Sequence, residues 1–214
     1  MPSNFVKRWE EKDQGGLKGV LKQSPPLRSK IELAIRRIEA QIQYLENTIA
    51  NFSERDKYLF SKIVDLYSKN QIQRASIFAN ELAELRKMAN FMMNAQLALE
   101  RVVLRLRTVT QLGNVVVNLA PAAQVLQSVR TGIAGIMPNA EKELENIGLM
   151  LNDIMIEAGQ TTGISPDIEV ASEDARKILA EASMVAEQRM KEKFPELPAL
   201  KQPEAGEEFK YPQY

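Results

Sequence analysis

Neither cysteine nor histidine occurs among the 214 residues of the chain. Those two absences remove disulfides, thiolate nucleophiles, structural zinc sites, imidazole bases and histidine-held metals together. A cysteine-free composition fits a reducing, intracellular setting. The sequence also lacks a P-loop and a G-x-G-x-x-G run, so no phosphate-cradling or dinucleotide module can be read in it. Aromatic residues make up only 6% while hydrophobic residues reach 44%, so aliphatic packing between helices must supply the core. No apolar run approaches the length a transmembrane helix needs, and the opening MPSNFVKRWEEKD has no apolar stretch of the secretory-signal kind. The chemistry left to an enzyme is that of carboxylates, lysines and hydroxyls. Glu141, Glu143 and Glu145 cluster near an expected helix start, where acidic residues complement the helix dipole. A carboxylate-only metal site is the remote alternative. The expectation is a non-enzymatic chain with no catalytic residues, no metal and no cofactor.

Charge is present in equal amounts, 28 basic and 28 acidic residues, but it is divided along the chain. Residues 1–107 carry 19 Lys/Arg and 12 Asp/Glu, a net of +7, and residues 108–214 carry 9 and 16, a net of −7. A basic front half is suited to an anionic surface, and an acidic back half is suited to fold over it and compete.

Periodicity then organises the chain as all-α. Residues 1–26 read as a basic arm, with Gly15-Gly16, Pro25-Pro26 and five Lys/Arg against three acids. From Leu27 the apolar positions Ile31, Ile35, Ile38, Ile42, Leu45, Ile49 and Phe52 alternate spacings of four and three, a heptad seam. Ser53 and Asp56 resemble a capping box, yet the phase continues to Leu59, Ile63 and Leu66, which predicts one helix over roughly 27–67. Asn70 suits a tight turn, and a second seam runs from Ala75 through Phe78, Leu82, Leu85, Ala89, Met92, Gln96, Leu99 and Val103 to Leu106. Two long helices joined by a short turn must pack as an antiparallel hairpin. The helical core is expected over 27–160, with the hairpin at 27–120 and helices three and four at 121–158. Residues 161–214 are expected to hold a linker, a fifth amphipathic helix over about 172–194, with Ile178, Leu179, Met184, Val185 and Met190 as its apolar side, and a proline-rich tail.

Two segments carry functional chemistry. In NFVKRWEEK, Phe5, Val6 and Trp9 would share one face of a helix, surrounded by Lys7, Arg8 and Lys12. Insertion of such a face into anionic lipid is one reading, and packing of Trp9 on the hairpin is the other. The basic residues Arg28, Lys30, Arg36 and Arg37 of the first helix would serve lipid or nucleic acid. Nucleic acid ranks second because stacking aromatics and a groove-reading module are not evident. The second segment is KFPELPALKQP, residues 193–203, where Pro195, Pro198 and Pro203 forbid continuation of the helix and favour an extended peptide.

The stretch LYSKNQIQRASIFANELAELRKMANFM, residues 66–92, resembles the ESCRT-III family, in which a long basic helix ends in a polar turn. There the second helix carries an L-x-x-L-R-K-like stretch, matched here by Leu82, Leu85, Arg86 and Lys87. FPELP, residues 194–198, is similar to the proline-rich class of MIT-interacting motif, with Phe194 and Leu197 in place of the usual Leu and Val. Within the family the chain looks most like the archaeal cell-division branch, as a short CdvB paralogue without the winged-helix module. The resemblance implies a filament subunit that remodels membranes in cytokinesis, with vesicle budding as a further process. It implies self-assembly, ESCRT-III paralogues and anionic lipid as partners. An MIT-domain AAA ATPase of the CdvC-like kind would grip Phe194, Pro195, Leu197 and Pro198, with nucleic acid not expected. It places the chain in the cytoplasm, peripherally at the membrane's cytoplasmic face, at the division site. It further implies a closed state, in which the fifth helix folds back, and an open state that polymerises. The alternatives are a phage-shock or vesicle-inducing membrane protein and a helical nucleic-acid-binding scaffold.

Overall fold

The computed structural model describes residues 26–112, 115–163 and 167–194. These form five helices and, among the described residues, no strand: α1 Leu27–Ser68, α2 Ile72–Leu112, α3 Val115–Ile133, α4 Pro138–Thr162 and α5 Ile168–Lys193. The expected all-α class is thus the observed one. The arm at 1–25 and the tail at 195–214 lie outside the described residues.

Helix α1 runs unbroken for 42 residues, about 63 Å at 1.5 Å per residue. Its seam residues Ile31, Ile35, Ile38, Leu45, Ile49, Leu59, Ile63 and Leu66 are buried. The α1–α2 turn is tight because Asn70 adopts the left-handed conformation at φ 56. Gln71 N–H can then donate to the Leu66 carbonyl at 2.9 Å, and Asn70 N–H to that of Tyr67 at 3.0 Å. The turn brings α2 back along α1, and Leu82, Leu85, Ala89, Met92, Leu99, Val103 and Leu106 bury the second seam.

The two ends of the hairpin differ. Toward its open end α2 also buries Met93, Leu97, Ala98, Val102 and Val109, so it is apolar on more than one side. Helices α3 and α5 cover that additional surface, and α4 completes the layer against α3 and α1. Toward the turn a smaller, separate cluster holds Leu59, Ile63, Leu82, Leu85 and Ala89.

Several boundaries depart from the sequence expectation. The second helix ends at Leu112, not near 120, and α3 starts at Val115, ahead of the expected 121. Val115 and Val116 are buried, and packing of that kind overrides the strand preference of a valine run. Pro121 accordingly lies inside α3. Its missing N–H leaves the carbonyl of Val117 without a helical partner, but Val117 is exposed and water can replace the bond. Gly135 at φ 75 turns the chain into Pro138, the first residue of α4. Helix α4 continues to Thr162, past the expected 158, and closes on Gly163 at φ 70, whose N–H donates to the Gly159 carbonyl at 2.8 Å. Helix α5 begins earlier than expected, at Ile168, where Asp167 accepts from the backbone N–H groups of Glu169 and Val170 at 3.0 and 3.2 Å. A cap of that kind fixes a helix start at the cost of the linker expected there.

Candidate functional site

The basic residues expected on the first helix do not form one free face. Successive residues of a helix turn by about 100°, which separates Arg28 and Arg36 from Lys30 and Arg37. The latter two, seven residues apart, face α4. Lys30 Nζ meets Glu157 Oε2 at 2.6 Å, and Arg37 Nε lies 3.6 Å from Glu143 Oε1. Arg28 pairs with Glu32 one turn on, at 3.1 Å, and Arg36 is exposed. Half of the predicted basic patch is therefore already occupied by acidic residues of the back half. Glu145 of the acidic cluster pairs with Arg130 at 3.2 Å. No group of three acidic side chains that could hold a metal ion occurs among the described residues.

Helix α5 repeats that pattern on α2 in two of three ion pairs, the third having the cation on α5. Arg105 Nη2 meets Asp174 Oδ2 at 2.6 Å, Arg101 Nη1 lies 3.4 Å from Glu181 Oε2, and Arg189 approaches Glu100 at 4.0 Å. In four cross-half contacts, at Lys30, Arg37, Arg101 and Arg105, a front-half cation meets a back-half anion, so the +7 and −7 halves face one another in the folded chain. These pairs are partly exposed and contribute little each, on the order of 0.5 kcal/mol. Arg105 Nε is buried with no hydrogen-bond partner, a cost that sets off part of its gain.

The apolar contact of α5 is unusual in composition. The expected apolar side was Ile178, Leu179, Met184, Val185 and Met190. Met184 instead points to solvent, 69% exposed, while Ile178, Leu179, Val185 and Met190 are partly buried. Among the described side chains of the helix, the buried positions are alanines: Ala171, Ala175, Ala182 and Ala186. Alanine at each close approach lets α5 lie near α2, but it removes little apolar area from water per residue.

One large side chain completes the contact. Phe194 caps the C-terminus of α5, its N–H donating to the Met190 carbonyl at 2.8 Å. Its ring is 5% exposed and joins Leu59, Ile63, Leu82, Leu85 and Ala89 in the cluster near the hairpin turn, flanked by Phe52 and Phe78. Of the residues expected to meet the ATPase, Phe194 is thus held by the hairpin, and Pro195, Leu197 and Pro198 lie outside the described residues. The same holds for the arm residues Phe5, Val6, Lys7, Arg8, Trp9 and Lys12.

Sequence reasoning missed two polar contacts in the seam. Asp56, read in the sequence only as part of a capping-box resemblance within one continuous helix, is 4% exposed and receives a bidentate pair from Arg86. Gln96 is buried and donates to Glu46 at 3.1 Å and to Glu100 at 2.9 Å. The signal for the first was available: a charged residue at a heptad seam position requires an opposite charge across the hairpin. No helix among the described residues is long and apolar enough to cross a membrane.

No protein-family model matches the chain, and no solved structure matches it. Over 195 residues it is 42% identical to Cell division protein B1 of Sulfolobus acidocaldarius, covering 91% of this chain and 90% of that protein. Over 162 residues it is 35% identical to Cell division protein B of the same organism, covering 76% of this chain and 62% of that longer protein. The chain belongs to the cell division protein B family, the archaeal cell-division branch of ESCRT-III.

Proposed function

We propose that this member of the archaeal cell-division branch is a non-enzymatic subunit of a membrane-remodelling filament that constricts and cuts the membrane in cytokinesis. The observation that carries this reading is the fold of a long hairpin on which four cations, Lys30, Arg37, Arg101 and Arg105, are met by acidic residues of α4 and α5. Such a chain has two uses for one surface. Folded back, its own carboxylates occupy the cations. Opened, the same cations and the underlying apolar faces become available to anionic lipid and to neighbouring subunits. The relatives' printed names, Cell division protein B1 and Cell division protein B, support division as the process.

In this reading the arm supplies the membrane contact. Phe5, Val6 and Trp9 insert shallowly, and Lys7, Arg8 and Lys12 add attraction to anionic headgroups. Arg28, Lys30, Arg36 and Arg37 extend the basic surface once α4 releases two of them. The tail is a handle: Pro195 and Pro198 preorganise an extended peptide, and Phe194 and Leu197 enter a groove of an MIT-domain AAA ATPase of the CdvC-like kind. That ATPase remodels or dismantles polymers formed with further copies and with ESCRT-III paralogues at the division site.

Electron microscopy of the full chain with vesicles containing anionic lipid tests the reading. Filaments or tubulated vesicles are the expected result. A protein that neither coats nor deforms vesicles across a range of anionic lipid content would contradict it. Binding to duplex DNA with no response to lipid would favour the nucleic-acid scaffold.

A further inference from the structure

Helix α3 carries one charged residue in 19, Arg130, and that one pairs with Glu145 of α4 at 3.2 Å. Surface helices ordinarily turn charged residues to water, yet the exposed positions of α3 are Val117, Gln127, Ser128, Thr131 and Gly132. On α4, Leu149 and Ile156 are 60% and 52% exposed, seven residues apart and so on one side of the helix. Between α3 and α4 runs an open, largely apolar trough of about 490 Å³, lined in part by Leu144, Met155 and Gly148, with Leu149 at its rim. Gly148 fits badly with a free surface. Glycine inside a helix costs stability relative to alanine, and a Cβ at 148 would meet nothing within 4 Å. The packing of one chain gives no reason for the missing methyl, whereas close approach of something outside the chain does. We propose that this face docks on the same face of a second copy of the chain, about a two-fold axis.

The surface is complementary to itself. It carries a ridge, Leu149 with Ile156, beside a trough, and an isologous contact needs both on one patch. It brings no net charge against its like, because Arg130 and Glu145 cancel. Anionic lipid would find a single cation in the lining, already paired. A lipid tail in the trough would strand the amides of Gln124, Gln127 and Asn152, which also line it. The amides of a second copy supply both donors and acceptors for them. Leu149 of each copy fills the trough of the other, and the absent Cβ of Gly148 lets the two surfaces close. This face of α4 is turned from Glu143 and Glu157, which hold Arg37 and Lys30. Pairing therefore needs neither exposure of the hairpin cations nor lipid, and it goes beyond the proposed membrane role without depending on it. An isologous contact closes at two copies, so it does not by itself build a filament. It belongs to the small, transient class of interface, so the dilute chain is monomeric and pairs form as concentration rises.

Sedimentation equilibrium of the full chain, without lipid, across roughly 5–500 μM is expected to show mass rising toward two copies and no further. Two substitutions separate pairing from folding. Gly148→Ala is expected to raise the melting temperature by about 2 °C and yet weaken pairing roughly tenfold. Leu149→Glu, at an exposed position, is expected to abolish pairing while the helical circular dichroism stays unchanged. A glycine with a role only inside its own chain would move stability alone. A wild type that remains a monomer across that range overturns the inference. So does mass that grows past two copies, or a Gly148→Ala variant that pairs as tightly as the wild type.

Discussion

Arg86 of α2 clamps Asp56 of α1 across the hairpin seam, Nε to Oδ1 at 2.5 Å and Nη2 to Oδ2 at 3.0 Å. The carboxylate is buried, and the guanidinium side chain is 22% exposed. A bidentate pair in an otherwise aliphatic seam admits one alignment of the two helices, since sliding either by a turn would bury both charges against apolar groups.

Removal of one partner should therefore cost more than removal of both. Asp56→Ala leaves a guanidinium that can partly reach water, and a loss of about 2–3 kcal/mol is expected. Asp56→Leu combined with Arg86→Leu should recover most of it. Urea unfolding of the three proteins measures the difference, and a double variant as unstable as the single one would count against the pair as a register device.

The turn gives a second expectation. Asn70 holds φ 56, where a β-branched side chain is strained. Asn70→Val should lower stability by about 1–2 kcal/mol and Asn70→Gly should leave it within a few tenths. Thermal unfolding of both variants checks the contrast.

Closure of α5 should depend on salt. Its ion pairs Arg105–Asp174, Arg101–Glu181 and Arg189–Glu100 are partly exposed and screen readily. Raising salt from about 0.05 M to about 0.5 M should speed amide exchange in α5 while α1 stays protected. Truncation after Gly163 uncovers the α2 and α3 surfaces beneath α5. Sedimentation velocity should show the truncated protein assembling where the full chain is monomeric, and a monomer in both cases would argue against folding back as the restraint.

The arm is tested by co-sedimentation with anionic vesicles. Phe5→Ala with Trp9→Ala should reduce binding several-fold, and Lys7→Ala with Arg8→Ala should lower it by roughly 1 kcal/mol per charge removed. Equal binding by wild type and the aromatic variant would assign the membrane contact to the hairpin.

The hairpin was legible in the sequence because a heptad seam reports directly on burial. Ile31 to Leu66 and Ala75 to Leu106 fell where their spacing put them, and Asn70 marked the turn. Legibility failed where burial did not follow side-chain size. The α5 contact was misread at Met184 because alanine carries little hydrophobic signal, so the stripe of Ala175, Ala182 and Ala186 passed for background. Pro121 and the valines before it misplaced the start of α3, since local propensity opposed the packing that decided it. The packing of Phe194 on the hairpin was not legible, because no periodicity announces that a residue past a helix end folds back on another element.

The alanine stripe has a thermodynamic consequence of its own. The heat-capacity change of a transition follows the apolar area it exposes, and the alanines of α5 contribute less of it than the larger residues of α2 and α3 that the helix covers. The calorimetric signature of α5 release would therefore come mainly from the surface left behind, and it would be smaller than a 26-residue helix docked through leucines would give.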